Sequence, residues 1–329
     1  MKSVLLSVLA CLAASPVAHA QFITTNRTIA GGNPVVEAYP VNLIVGRNAA
    51  NVAVPGLTVD VVAPASVGFG LFADSNTVLN ISGGTHGQVY ARDTSTVTVS
   101  GAAAIGAARV DADAVMRVTG GTITTGGAFF GVGVAGLLEV SGGDISDIAV
   151  NFGGRATIRG GTIGTNTIRG LSLGTTSSSA FASVAGGTIS NGIETRTGVL
   201  DVLAGTINGG LFNYDGSVAV SGGAFDAGFN GRTFGTLGAG NIVFTGTNLV
   251  LSAPTPATIQ YGGTGYTGNN YTLTGILADG QAINRVVFDA TGGTGAIVLT
   301  AVAVVPEAST LWLVGAAGLV GVVCRRVKR

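Results

Sequence analysis

One short pattern recurs along the middle of the chain: an alternating apolar stretch, a Gly pair, then Thr and Ile. It reads LNISGGTH at 79–86, VTVSGAAA at 97–104, MRVTGGTI at 116–123, LEVSGGDI at 138–145 and ATIRGGTI at 156–163. ASVAGGTI at 182–189, LDVLAGTI at 200–207, VAVSGGAF at 218–225 and a weaker IVFTGTNL at 242–249 follow. From Gly83 to Gly246 the first Gly of the pair, or Ala204 in its place, recurs at spacings of 18, 19, 22, 18, 26, 18, 18 and 24 residues. A period near 18 that tolerates insertions is the mark of a solenoid, in which each repeat buries its apolar face only against its neighbours.

Within a repeat the apolar residues lie two apart, as Leu138 and Val140 or Val218 and Val220 do, which is the period of a strand with one buried face. The Gly pair lets the backbone turn where bulkier residues cannot. A Thr-Ile segment follows, and a third apolar patch comes next, as in QVY at 88–90, IAV at 148–150 and LFNY at 211–214. Three short strands per repeat, separated by turns, predict an all-β chain built as a triangular parallel β-helix. Nine rungs about 4.8 Å apart would make a body of roughly 40 Å. No steady six-residue register runs through it and insertions stretch the period to 26, so right-handed winding is expected. A calcium-binding β-roll needs Asp at a fixed place after the glycines, and only Asp144 adjoins a Gly pair.

The flanks read as caps, which a solenoid needs to protect its open ends. Residues 21–78 hold extended runs such as VNLIVG and LTVDVVAP, punctuated by Pro34, Pro40, Pro55 and Pro64, and are expected to form an N-terminal β cap before the repeats at 79–249. Residues 250–304 predict a small antiparallel C-terminal β cap and linker, with a hairpin signal at Asp279-Gly280. GGTGYTGNNY at 262–271 reads as a Gly-rich loop, with no helix pattern after it that would cradle a phosphate.

Both ends carry processing signals. Lys2, the apolar run from Val4 to Ala14, and the small residues Ala18 and Ala20 before Gln21 describe a secretory signal peptide over 1–20 with a cut ahead of Gln21. VLAC before Cys11 is a poor lipoprotein site, because Leu9 is too large for that pattern. At the other end Val305, Pro306, Glu307, Ala308, Ser309 and Thr310 precede an apolar run from Leu311 to Cys324, and Arg325, Arg326, Lys328 and Arg329 close the chain. Fourteen apolar residues give about 21 Å of helix, which can still hold in a bilayer when the arginines snorkel. The basic cluster keeps the C-terminus cytoplasmic, so the run is expected to be a single transmembrane helix with the body outside the inner membrane.

The order of motif, short apolar helix and Arg-rich end over 305–329 resembles the PEP-CTERM sorting signal of Gram-negative bacteria, with Ala308 where the family usually has a second Pro. The resemblance implies recognition by exosortase, a membrane-embedded cysteine transpeptidase, removal of the tail near the motif, and transfer to the cell surface or an exopolysaccharide matrix. It covers only the last 25 residues or so, and says where the chain goes rather than what its body does.

Composition narrows the body's chemistry. Between residues 21 and 305 there is no Lys, and 11 Arg stand against 15 Asp and Glu, a net charge of −4 that argues against neutralising the phosphates of a nucleic acid. Cys11, Cys324 and His19 belong to the processing segments, leaving His86 alone, so thiolate catalysis, disulfides and Cys/His metal sites are excluded, and no cofactor or metal is expected. His86, just past a Gly-Gly-Thr turn, is expected at the surface.

One cluster merits weighing. Asp93 and Asp111 both fall ten residues after their first Gly and 18 apart, close to Arg92, Arg109 and Asp113, a spacing that would stack two carboxylates on adjacent rungs. Such a pair could cleave a glycan by acid and base catalysis. Solvated turn residues are the simpler reading, since Arg196 and Arg232 hold the same offset in later repeats. The expectation is therefore a non-enzymatic, exported surface or extracellular-matrix protein associated with exopolysaccharide. A polysaccharide lyase or hydrolase using Asp93, Asp111 and Asp113, and a surface adhesin, are the alternatives.

Overall fold

The computed structural model describes residues 21–23, 27–30, 38–39, 42–125, 131–165, 169–174, 179–226, 228 and 231–302. The signal peptide expected over 1–20 and the sorting tail over 305–329 lie outside them. The described residues are all-β, with no α-helix and no helix long and apolar enough to cross a membrane. They form a parallel β-solenoid of about nine turns, each turn contributing a strand to three separate faces.

On the first face, nine strands stack from Val78–Ile81 to Asn241–Leu251, all parallel. The second face carries the Thr-Ile segments, with Ile123, Ile145, Ile163, Ile189 and Ile207 in one inward column. The third carries the remaining apolar patches, such as Ile148–Val150 under Leu171–Leu173. Strand alternation turns every second residue inward, so Leu138, Val140, Leu200, Val202, Val218 and Val220 are fully enclosed and form one continuous core.

The Gly pair makes the corner between the first and second faces. Gly143 and Gly161 hold φ of +85° and +83°, and a Cβ on Gly161 would sit 2.7 Å from the carbonyl oxygen of Gly143 on the rung before. Left-handed backbone and close rung stacking thus exclude side chains from the same atom. The longer spacings fall at the other two corners, between Thr162–Ile163 and Leu171–Leu173 and between Leu171–Leu173 and Phe181–Ile189, leaving the Gly corner unchanged.

The segment expected as an N-terminal cap carries further turns of the same solenoid. Arg27–Ala30 pairs with Thr58–Val62, and that strand with Val78–Ile81, in parallel on the first face. Gln21–Ile23, Leu43–Val45 and Ser66–Ala73 extend the third face. After the last repeat the strands turn antiparallel. The second half of Asn241–Leu251 pairs with Thr264–Leu277, which pairs further along the same edge with Thr255–Tyr261 and on its other side with Ala282–Ala290. Ala282–Ala290 and Ile297–Ala301 then return to the third and first faces as parallel last strands. The run at 262–271 is not a loop: after a left-handed turn at Gly262 and Gly263 it is strand. Asp279 turns its hairpin onto the rod, its carboxylate accepting from the Gly223 amide at 2.7 Å while its own amide donates to the Ser221 carbonyl at 3.0 Å.

His86, expected at the surface, is buried. It occupies the inward column of the second face, level with Val67 and Ile105, and is 2% exposed. Its Nε2 meets the Gly83 carbonyl at 2.9 Å, and its buried Nδ1 has no partner among the described residues. Burial lowers its pKa below the ordinary 6.5, and the Gly83 bond opposes this only in part. The unfolded chain therefore takes up this proton first, so His86 costs nothing above pH 6.5 and removes stability as the pH falls below it. Thermal melts at pH 7.5 and 5 should show a loss of stability for the wild-type chain that His86→Ile, which restores the residue type of its column, reduces. An equal loss in both would contradict this assignment.

Candidate functional site

The outward residues of the third face form a single file: Phe72, Tyr90, Arg109, Gly133, Ala149, Ser172, Glu194 and Phe212 on successive rungs. The first face also carries outward charged side chains, as in the Arg117–Glu139 ion pair at 2.8 Å, between short positions such as Thr98, Thr157 and Ser183.

Toward the C-terminal end, the hairpin of Thr255–Tyr261 and Thr264–Leu277 folds back over the file. Ile259 packs with Phe212, Leu237, Phe288 and Ala290 into a second apolar cluster, to which Tyr214, Tyr261 and Tyr266 add partly buried rings. Tyr261 stacks on Phe212 at 4.2 Å. Beside it, Glu194 is 1% exposed and ion-pairs with Arg169 at 2.5 Å and Arg196 at 2.6 Å, while the Tyr261 hydroxyl donates to it at 3.3 Å. Burial, and then the Glu194 charge, push the Tyr214 and Tyr261 hydroxyls well above the ordinary phenol range. The hydrogen bond to Glu194 raises Arg196 further. With its charge matched by two arginines of the rod, Glu194 is held as a fixed acceptor for Tyr261, and this bond together with the Tyr261–Phe212 stack clamps the hairpin to the rod.

Toward the N-terminal end no described strand folds over the file. Phe72 and Tyr90 stack at 4.6 Å with an 11° interplanar angle, and the Arg92 guanidinium lies 4.2 Å from the Phe72 ring centre. Beyond Tyr90 a groove of about 450 Å³ opens over the next rungs, walled by Tyr90 and Gln88 on one side and Asn151 and Phe152 on the other.

The carboxylates singled out in the sequence do not converge. The third-face register here is offset by 19 residues, since Ala91 pairs with Val110, so Asp111 is level with Arg92 and not with Asp93. Asp93 and Asp113 occupy left-handed turn positions, with φ of +51° and +67°. Asp93 ion-pairs with Arg47 at 3.0 Å and Asp111 with Arg109 at 2.6 Å. Arg47 also pairs at 3.1 Å with Asp74, whose pKa burial raises despite its Arg92 and Arg47 neighbours. Among the described residues no group of three His, Cys, Asp or Glu could hold a metal ion. Glu194, Tyr90 and Phe152 were missed by sequence reasoning, because only the rung register brings them to their partners. No protein-family model, curated protein or solved structure matches the chain.

Removing the clamp's charge gives a direct check. Glu194→Gln leaves Arg169 and Arg196 facing a neutral amide, and since both arginines reach solvent the cost should be about 1–3 kcal/mol. Hydrogen exchange should then accelerate first in 255–277, with the strands at 137–145 unchanged; uniform acceleration would show that the clamp does not act on the hairpin.

Proposed function

We propose that this chain is an exported structural protein of the cell surface or extracellular matrix, delivered by a PEP-CTERM-type tail. The observation that carries the reading is the order at 305–329: the Val305 to Thr310 motif, an apolar run, then Arg325, Arg326, Lys328 and Arg329. In this reading residues 1–20 direct export and the C-terminal run anchors the chain in the inner membrane. Exosortase then cuts near Pro306, and the released body joins an exopolysaccharide. Cuts ahead of Gln21 and near Pro306 would spare every described strand, since the first starts at Gln21 and the last ends at Ala301.

The body acts mechanically rather than catalytically, as a right-handed rod with short Thr-, Ser- and Gly-rich faces. Pairing of Asp93 and Asp111 with neighbouring arginines supports this over glycan cleavage, because a general acid or base must be free to meet its substrate. The body's net charge of −4 supports a partner other than nucleic acid.

The test is intact-mass measurement of the native protein in inner-membrane, outer-surface and culture fractions. The reading expects a surface or secreted form lacking both Met1 to Ala20 and the residues after the motif at Pro306. An inner-membrane form that keeps Arg329 as its only mature state would overturn it.

A further inference from the structure

We infer that the groove on the third face, between Tyr90 and Phe152, is a glycan-binding site. The inference rests on the proposed matrix role for the kind of partner, and on the groove itself for the place and the residues. The groove runs along the rod over four consecutive rungs, roughly 14 Å, the length of a short oligosaccharide.

Three features of the groove point to a ligand. The first is Phe152. Its side chain is 75% exposed and its backbone holds φ +53°, in a four-residue corner where Gly153 is also left-handed at φ +83° and the Gly154 amide donates to Asn151. Two successive left-handed residues in such a turn favour Asn and Gly, and a bulky aromatic there is strained and gains nothing from burial. The fold has no use for this ring, whereas a bound molecule would. The second is Tyr90. Phe72 covers one face of its ring, which leaves the opposite face to line the groove, and its hydroxyl donates to Gln88. The ring is therefore fixed before any ligand arrives. The third is Gly133. It is the one outward position of the file between Arg109 and Ala149, and a Cβ added there would meet nothing within 4 Å. Unlike the corner glycines, it is not held there by crowding or by a left-handed backbone, and its lack of a side chain keeps the middle of the groove open.

The chemistry of the lining selects a sugar chain. Pyranose rings present C–H faces that stack on aromatic rings and hydroxyls around the edge that seek polar groups, and the groove offers both. Tyr90 and Phe152 supply rings, and Gln88, Asn151 and Arg109 supply polar groups. Arg109 is held through Nε by Asp111 and is 64% exposed, so its terminal nitrogens can meet a hydroxyl pair or a uronate carboxylate. Other occupants fit less well. An extended peptide needs a free sheet edge, but every strand under the groove is paired on both sides. The body's negative charge disfavours a nucleic acid. A site this open on one side gives a purely apolar ligand little to bury against.

Calorimetric titration of the full-length chain in detergent with hexamers of mannuronate and of glucose tests the site and separates uronate from neutral sugar. The expected result is binding of at least one hexamer. Phe152→Asn should weaken it about tenfold while the thermal midpoint holds or rises, since Asn suits the turn. Gly133→Leu should abolish it by filling the groove without disturbing the rung. Wild-type binding that both variants leave unchanged would overturn the groove as the site while leaving a glycan partner standing. Absence of binding to either hexamer would overturn the inference outright, with the sorting reading still decided separately by the cell fractions.

Discussion

Everything in this molecule depends on the in-register stacking of one rung on the next. Strands within the stack donate and accept backbone hydrogen bonds on both sides, and each inward side chain sits on its counterpart a rung away, so continuous columns of mostly apolar residues, two of them on the first face, fill a narrow core. With no cysteine between Gln21 and Val305 to form a disulfide, this repetition replaces the staples on which small secreted chains rely. Part of the glycine content follows from corners such as Gly143 and Gly161, where a Cβ would strike the neighbouring rung's carbonyl.

A stacked sheet has open ends, and at one of them the chain supplies its own cover. At the C-terminal end the chain reverses into antiparallel strands, sends Ala282–Ala290 and Ile297–Ala301 back as last rungs, and folds a hairpin along the outside of the third face. The Tyr261 hydroxyl bond to Glu194 and the Gly223 amide bond to Asp279 pin that hairpin and its neighbour to the rod. Among the described strands the same file of residues is therefore covered at one end and open at the other, and the open end is where strained and exposed aromatic chemistry survives.

Much of the architecture was legible in the sequence because the solenoid writes its period into the Gly pair. The three strands per repeat and the Asp279-Gly280 hairpin turn follow from alternation and turn chemistry. The N-terminal turns were hidden because their corner uses Ala63-Pro64-Ala65 where later rungs use a Gly pair; a Cβ on Gly83 would strike Ala63, and one on Gly84 would strike Ala65. His86 was readable and misjudged, since aligning GGTH with GGTI already puts it in the buried Ile column. Asp93 and Asp111 were misplaced by one residue of corner length, which changes which side chains share a level. The groove and the Glu194 clamp were beyond reach of the sequence: they join residues 62 to 67 positions apart, such as Tyr90 with Phe152 and Glu194 with Tyr261, and only the register supplies those meetings.

Rung register is the central claim, and paired cysteines measure it directly because the body has none of its own. Thr157 and Ser183 are outward partners on adjacent first-face strands across the 26-residue spacing, while Asp201 lies one rung further on. At a rung spacing of about 4.8 Å the first pair is within reach of a disulfide and the second, at roughly twice that, is not. Mild oxidation should cross-link Thr157→Cys with Ser183→Cys much faster than Thr157→Cys with Asp201→Cys; equal rates, or the reverse order, would contradict the stacked solenoid.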